Sequence, residues 1–296
     1  MNAAGPGKFR DPALVDFGTD ARGDGRRLER LGGVLVDRPL PHAGERRRLP
    51  PAWSEAAAVY RGTWEFAAPL PDPWQTQVQL AAGAALVLEV RPAPSGQIGV
   101  FLEQAAQWRW LAEHAPAAGT MLSLFAHSGA ASLALATAGC EVVHVDASRQ
   151  AIALARRNAA ASGLAERPVR WVCEDAATFV ARLLKRGTSC AGAVLDPPSW
   201  GHGPGGQAFA IDRDLAPLVA DVARLMAAHR AGPQGPLLLT CHTPGWHPEK
   251  LEDTLRQACR TAGLSGGGFE CGPLSCTDDS GRTLELGAFA RRTPPA

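Results

Sequence analysis

A carboxylate, two prolines and an indole follow one another in Asp196-Pro197-Pro198-Ser199-Trp200. Groups of this kind can hold a flat, nitrogen-bearing ring. The carboxylate and the rigid proline carbonyls accept hydrogen bonds from an amino or ring nitrogen, and the indole stacks on the ring face. Cys241 offers a second chemistry. As a thiolate it would add to an electron-poor ring and activate a neighbouring carbon too weak to react alone. Set against this is the plainer reading of Cys241 as a buried strand cysteine. Thr240-Cys241-His242 also brings an imidazole next in sequence, although successive strand residues face opposite sides. His202, in Gly201-His202-Gly203-Pro204-Gly205-Gly206, suits a lid, a phosphate contact or a plain surface loop.

Elements must place these groups. Ala191-Gly192-Ala193-Val194-Leu195 reads as a fully buried strand of a parallel sheet, ended abruptly by the prolines. Asp196 therefore sits at the carboxyl end of a central strand, where open α/β sheets bind ligands. From residue 96 onward strands and helices alternate. Strands are expected at Met121–Phe125, Glu141–Val145, Val169–Cys173, Leu195 and its approach, and Leu237–Cys241. Phe269–Cys271 and Leu284–Phe289 would close the sheet as an antiparallel edge pair. Helices are expected between them, with Pro217 in the first turns of the helix Asp212–His229 or kinking it. The alternation predicts an α/β fold with a doubly wound, mostly parallel, seven-stranded Rossmann-like sheet. Residues 1–95 carry short strand-like runs punctuated by Gly and Pro, and read as a small β-rich N-terminal domain. Residues 96–296 form the second domain in this reading. Trp53, Trp64 and Trp74 either staple the small domain or offer a stacking platform.

Three strand ends can be read as one nucleotide site. In Leu124-Phe125-Ala126-His127-Ser128-Gly129-Ala130, Gly129 permits a tight strand-to-helix turn whose exposed amides favour an anion. Asp146, ending the next strand, can accept hydrogen bonds from ribose hydroxyls. Glu174-Asp175-Ala176 after the third strand can reach an adenine amino group, while Asp175 is equally suited to capping the following helix. The Gly-x-Gly-x-x-Gly fingerprint of dinucleotide sites is absent. A turn with no pyrophosphate cradle favours S-adenosylmethionine (SAM) over a nicotinamide cofactor.

These segments resemble the class I SAM-dependent methyltransferases, and within them the bacterial family around the 23S ribosomal RNA cytosine-C5 and guanine-N7 methyltransferases. The matching stretches are Gly99–Gln104, Leu124–Gly129, Val143–Ser148, Arg157–Ala159, Glu174–Ala176 and Asp196–Gly201. The resemblance implies cofactor contacts from Phe125, Ser128, Gly129, Asp146, Asp175 and Asp196. It further implies that Gln104 closes over the cofactor. Asp196, Pro197 and Trp200 would then hold the substrate base, with Cys241 as the nucleophile if the target is cytosine C5. The match departs in two places. No cysteine follows Asp196-Pro197-Pro198, and the Cys241 strand is less cysteine-rich than in the cytosine-C5 relatives.

Composition sets the remaining bounds. With 296 residues, 46% hydrophobic, the chain has ample core. A net charge of +1, with 30 basic and 29 acidic side chains, provides no global field toward nucleic acid. Glu45-Arg46-Arg47-Arg48 is either a small phosphate-contacting patch or a solvated loop. Seven cysteines without a Cys-x-x-Cys pair argue against a disulfide framework or a zinc site. No signal peptide or membrane span is evident, and a cytoplasmic enzyme with an RNA substrate is expected. Two alternatives remain at this stage. One is a small-molecule or protein methyltransferase on the same fold, and the other a non-catalytic RNA-binding factor.

Overall fold

The computed structural model describes residues 12–202 and 208–294. The expectations placed on Met1–Gly7 and on the glycine-rich stretch 203–206 fall outside these. The chain divides into two compact units, one of residues 1–79, 85–105 and 275–285, the other of residues 80–84, 106–274 and 286–296.

The first unit is built on a five-stranded sheet. Its strands are β1 (Ala13–Thr19), β2 (Gly25–Leu31) and β3 (Val34–Pro39), then β4 (Ala58–Tyr60) and β5 (Trp64–Phe66) after the short helix α1 (Pro50–Trp53). They lie in sequence order, antiparallel except for the parallel pair β3–β4. β6 (Gln75–Gln79) and β7 (Ala85–Glu89) form a separate antiparallel pair. A core this thin is fastened by polar groups. Asp16, fully buried where the β1 register shifts, accepts hydrogen bonds from the Trp53 indole at 2.7 Å and the Leu49 amide at 2.8 Å. The Arg282 guanidinium pairs with it at 2.5 Å and with buried Asp278 at 2.8 Å. Trp53 and Trp74 are buried with their indole N–H groups satisfied, Trp74 by the Leu31 carbonyl at 2.9 Å. Both therefore staple this unit rather than face solvent.

In the second unit the chain alternates as the sequence predicts. α2 (Ala105–His114) leads into β8 (Thr120–Leu124), α3 (Ala130–Thr137), β9 (Glu141–Asp146), α4 (Arg149–Ala161), β10 (Val169–Cys173), α5 (Ala176–Lys185) and β11 (Gly192–Leu195). A short antiparallel pair follows, β12 (Trp200–His202) with β13 (Ala208–Ala210). Then come α6 (Ile211–Ala227), β14 (Leu237–Cys241), α7 (Pro248–Ala262), β15 (Phe269–Thr277) and β16 (Thr283–Arg292). The seven-stranded sheet has the order β10-β9-β8-β11-β14-β16-β15. Its first five strands are parallel and β16 is antiparallel to β14.

Local chemistry sets the ends of these elements. Ser148 caps α4 by accepting from the Ala151 amide, and Asp175 caps α5 by accepting from the Thr178 amide at 2.8 Å. α6 runs through Pro217 without interruption and buries Leu215, Leu218, Val219, Val222 and Met226 against the sheet core. The strand order reverses direction between β8 and β11, so a crevice opens at their carboxyl ends.

Candidate active site at the carboxyl ends of β8, β9, β10 and β11

The turn after β8 is the tightest piece of backbone in this region. Phe125 and His127 have φ of +55° and +42°, a left-handed conformation that costs a residue with a side chain about 1–2 kcal/mol. Gly129 follows at +84°, and a methyl group there would come within 2.8 Å of the Ala155 Cβ. Two neighbours hold this turn. Asp146, at the end of β9, accepts from the His127 amide at 2.8 Å and from the Ser148 amide at 2.8 Å. Buried Asn158 on α4 donates to the Ser128 carbonyl at 2.8 Å. Below the turn, the fully buried His144 shares a 2.9 Å hydrogen bond with Ser132, and burial pushes its pKa down to about 3.

Asp175 and Phe209 border a groove of about 400 Å³ whose remaining lining, Ala177 on α5 and Arg213, Asp214, Pro217, Leu218 and Asp221 on α6, runs between those two helices. The Phe209 ring on β13 lies 5.1 Å from the Phe125 ring, so the β12–β13 pair is anchored on the β8 turn. Glu174 is engaged by Arg182.

After β11, Asp196 is half-buried and Pro197 buried, while Trp200 on β12 is 57% exposed. The Thr240 hydroxyl donates to Asp196 Oδ1 at 2.6 Å. His242 Nε2 lies 3.9 Å from the same oxygen, and His242 Nδ1 lies 2.9 Å from the Leu286 carbonyl. Cys241, between these two residues, is fully buried in the sheet core, and burial pushes its thiol pKa up. Alternation along β14 thus brings Thr240 and His242 to Asp196 and turns Cys241 away.

Phe125, Ser128, Gly129, Asp146, Asp175, Asp196 and Pro197 all lie at neighbouring strand ends of one sheet, and Trp200 opens the separate β12–β13 pair that follows β11. Cys241 does not join them at the surface. Gln104 belongs to the first unit, buried in the 3-10 turn Leu102–Gln104. The sequence pointed to His242 only as a neighbour of Cys241 and not to Thr240 as a support, although the alternation of the strand marks both.

In the turn, the Ala126 amide donates to the Val145 carbonyl, the His127 amide to Asp146 and the Gly129 amide to the Ala126 carbonyl, so the loop is held by its own bonds at the end of β9. A solved structure decides the fold. A SAM-dependent methyltransferase from Agrobacterium tumefaciens matches with a TM-score of 0.83 at 29% identity, over 97% of this chain and 91% of that one. The fold is that of the SAM-dependent methyltransferases. A putative SAM-dependent methyltransferase from Streptococcus mutans shares it at 14% identity, TM-score 0.68, over 97% of this chain and 76% of its own. So does a putative methyltransferase complexed with SAH, at 14% identity and TM-score 0.69, over the same 97% and 76%. No protein-family model matches the chain, and no curated protein matches it in sequence.

Proposed function

We propose that this chain is a SAM-dependent methyltransferase acting on a base of RNA, with ribosomal RNA the expected species. The observation that carries the reading is the fixed carboxylate beside an exposed indole. Thr240 holds Asp196 at the end of β11, and Trp200 stands exposed four residues on. A carboxylate tied to a buried hydroxyl keeps its orientation without help from the substrate, which is the preorganisation a transfer reaction needs.

SAM would be held by Phe125–Gly129, Asp146 and Asp175, and supplies a methyl group made electrophilic by a sulfonium. The chain's own residues do the rest. Asp146 accepts ribose hydroxyls while the bonds it receives from the His127 and Ser148 amides keep it in place. Asp196 and the Pro197 carbonyl accept from the target base, and Trp200 stacks on it. Such a slot receives an unstacked base more readily than a paired one.

Charge supports an RNA partner. The chain as a whole is nearly neutral, yet residues 149–186 carry eight Arg and Lys against three Asp and Glu. β10 is the outer strand of the sheet, and Arg156, Arg167 and Arg170 around it are exposed. Arg170 and Arg182 lie 5.8 and 5.2 Å from the Phe179 ring, and Arg156 lies 5.9 Å from the Trp171 ring. Guanidinium groups along one edge suit a phosphate backbone. No helix among the described residues is long and apolar enough to cross a membrane. Seven free thiols suit a reducing, cytoplasmic setting.

The test uses purified full-length protein, methyl-labelled SAM, and ribosomal and transfer RNA from cells lacking the protein, with Asp196→Ala as control. Label in one RNA species, lost in the variant, is the expected result. No label in any RNA, with SAM still bound, would overturn the RNA reading.

A further inference from the structure

Resting on the methyltransferase reading, we propose that His242 accepts the proton displaced from the substrate. The atom methylated is then a nitrogen that carries hydrogen. A carbonyl oxygen can only accept, so the 2.9 Å contact with Leu286 O requires the hydrogen on Nδ1. With that hydrogen on Nδ1, the neutral tautomer of the ring carries its lone pair on Nε2, on the side that faces Asp196 at 3.9 Å. The backbone of β16, paired with β14, fixes this tautomer and the ring orientation together.

The Asp196 carboxylate and the Nε2 lone pair both attract a hydrogen-bond donor. Their side chains are 38% and 33% exposed, so both are reachable from solvent. An exocyclic amino group or a ring N–H placed against them is drawn to both acceptors. A ring nitrogen without hydrogen, or a ring carbon, is not. The route to carbon is closed by a second observation. Methylation at cytosine C5 needs a thiolate to add at C6. Cys241 is fully buried in the core, and its amide-held sulfur accepts from the Thr243 N–H at 3.3 Å. Burial in the core withholds that thiol from a substrate and disfavours its thiolate.

The lone pair of the target nitrogen forms the bond to the methyl carbon, and the carbon–sulfur pair returns to sulfur as a neutral thioether. The nitrogen, now cationic, gives its proton to His242 Nε2. The imidazolium so formed is stabilised by the Asp196 carboxylate beside it, and later loses its proton to water.

The test compares wild-type protein with His242→Gln and His242→Gly in the labelled-RNA assay, followed by digestion to nucleosides. His242→Gln keeps an acceptor but cannot take a proton. Its kcat should fall about 100-fold or more, as loss of a general base does. SAH binding by calorimetry, RNA binding by fluorescence and the melting temperature should stay close to wild type. Added imidazole should restore kcat in His242→Gly, an effect no structural role of the side chain would give. The labelled product should be an N-methyl nucleoside. A kcat for His242→Gln within threefold of wild type would overturn the inference, as would an absence of imidazole rescue or label at cytosine C5 or guanine N7. If wild-type protein itself labels no RNA, the proposed function fails first, and the proton-acceptor role falls with it.

Discussion

Replacing Gly129 with alanine separates two costs that the structure keeps apart elsewhere. Gly163, just after α4, has φ of +69° and open space where a methyl group would go. Gly163→Ala therefore suffers only left-handed strain, about 1 kcal/mol. Gly129 has a similar φ of +84°, but a methyl group there meets the Ala155 Cβ at 2.8 Å and the Ala155 Cα at 3.3 Å. Neither is the end of a flexible side chain, so α4 or the turn must shift. Overpacking of this kind costs about 1–3 kcal/mol more. Gly129→Ala should thus lose about 2–4 kcal/mol in all. For a unit of this size, each kcal/mol lowers the melting temperature by about 2–4 °C. Thermal unfolding should place Gly163→Ala about 2–4 °C below wild type and Gly129→Ala about 4–16 °C below. The same shift displaces the amides of the turn, so calorimetry should show SAH affinity falling at least tenfold in Gly129→Ala and unchanged in Gly163→Ala. Ala155→Gly on the Gly129→Ala background should recover part of both losses. Equal melting temperatures for the two single variants, or intact SAH affinity in Gly129→Ala, would refute the reasoning.

Three further outcomes follow from buried charge and exposed aromatics. Arg282→Met leaves the carboxylates of Asp16 and Asp278 buried without their cation, and loss of one partner of a buried pair costs about 3–5 kcal/mol, measurable by thermal unfolding. His144, held down to about pKa 3 chiefly by burial, binds its proton in the unfolded chain near pH 6.5 but not in the folded one. Its contribution to stability is therefore complete above about pH 6.5 and is lost as pH falls toward about 3, at no more than about 1.4 kcal/mol per pH unit. Melting curves from pH 7.5 to 4 should fall less steeply for His144→Asn than for wild type, once each is referenced to its value at pH 7.5. Trp200→Ala, at a 57% exposed position, should shift stability by less than about 0.5 kcal/mol while weakening RNA binding by about 1–3 kcal/mol.

Much of the second unit was legible because its signals are local. Apolar runs ended by Asp196-Pro197 or Asp146, and the caps Ser148 and Asp175, mark strand and helix boundaries within a few residues of themselves. The β12–β13 pair was hidden because Gly201 and its neighbours read as a loop, whereas Phe209 reaches back to Phe125 to hold the pair in place. The return of residues 275–285 to the first unit was equally hidden. It depends on Arg282 meeting Asp16, a contact spanning 266 residues that no periodicity encodes.

Cys241, the nucleophile candidate in the sequence, and His242, the proton acceptor proposed above, are neighbours, and register separates their surroundings. Cysteine draws attention because its chemistry is distinctive, but β14 is buried on both faces, so hydrophobic pattern does not reveal which residues face the cleft. The register becomes visible only through Asp196. Once Thr240 is seen to bond that carboxylate, alternation sends Cys241 inward to the core and brings His242 back to the same side. A one-residue displacement of β14 would exchange the two roles, placing a thiol at Asp196 and an imidazole in the core. What prevents it is the pairing on both flanks, Leu239 against Leu195 on β11 and Cys241 against Ala288 on β16. Gly287 has no room for a side chain there, since a methyl group would lie 2.5 Å from the Cys241 carbonyl. The choice between thiolate and imidazole chemistry at this site thus rests on strand register.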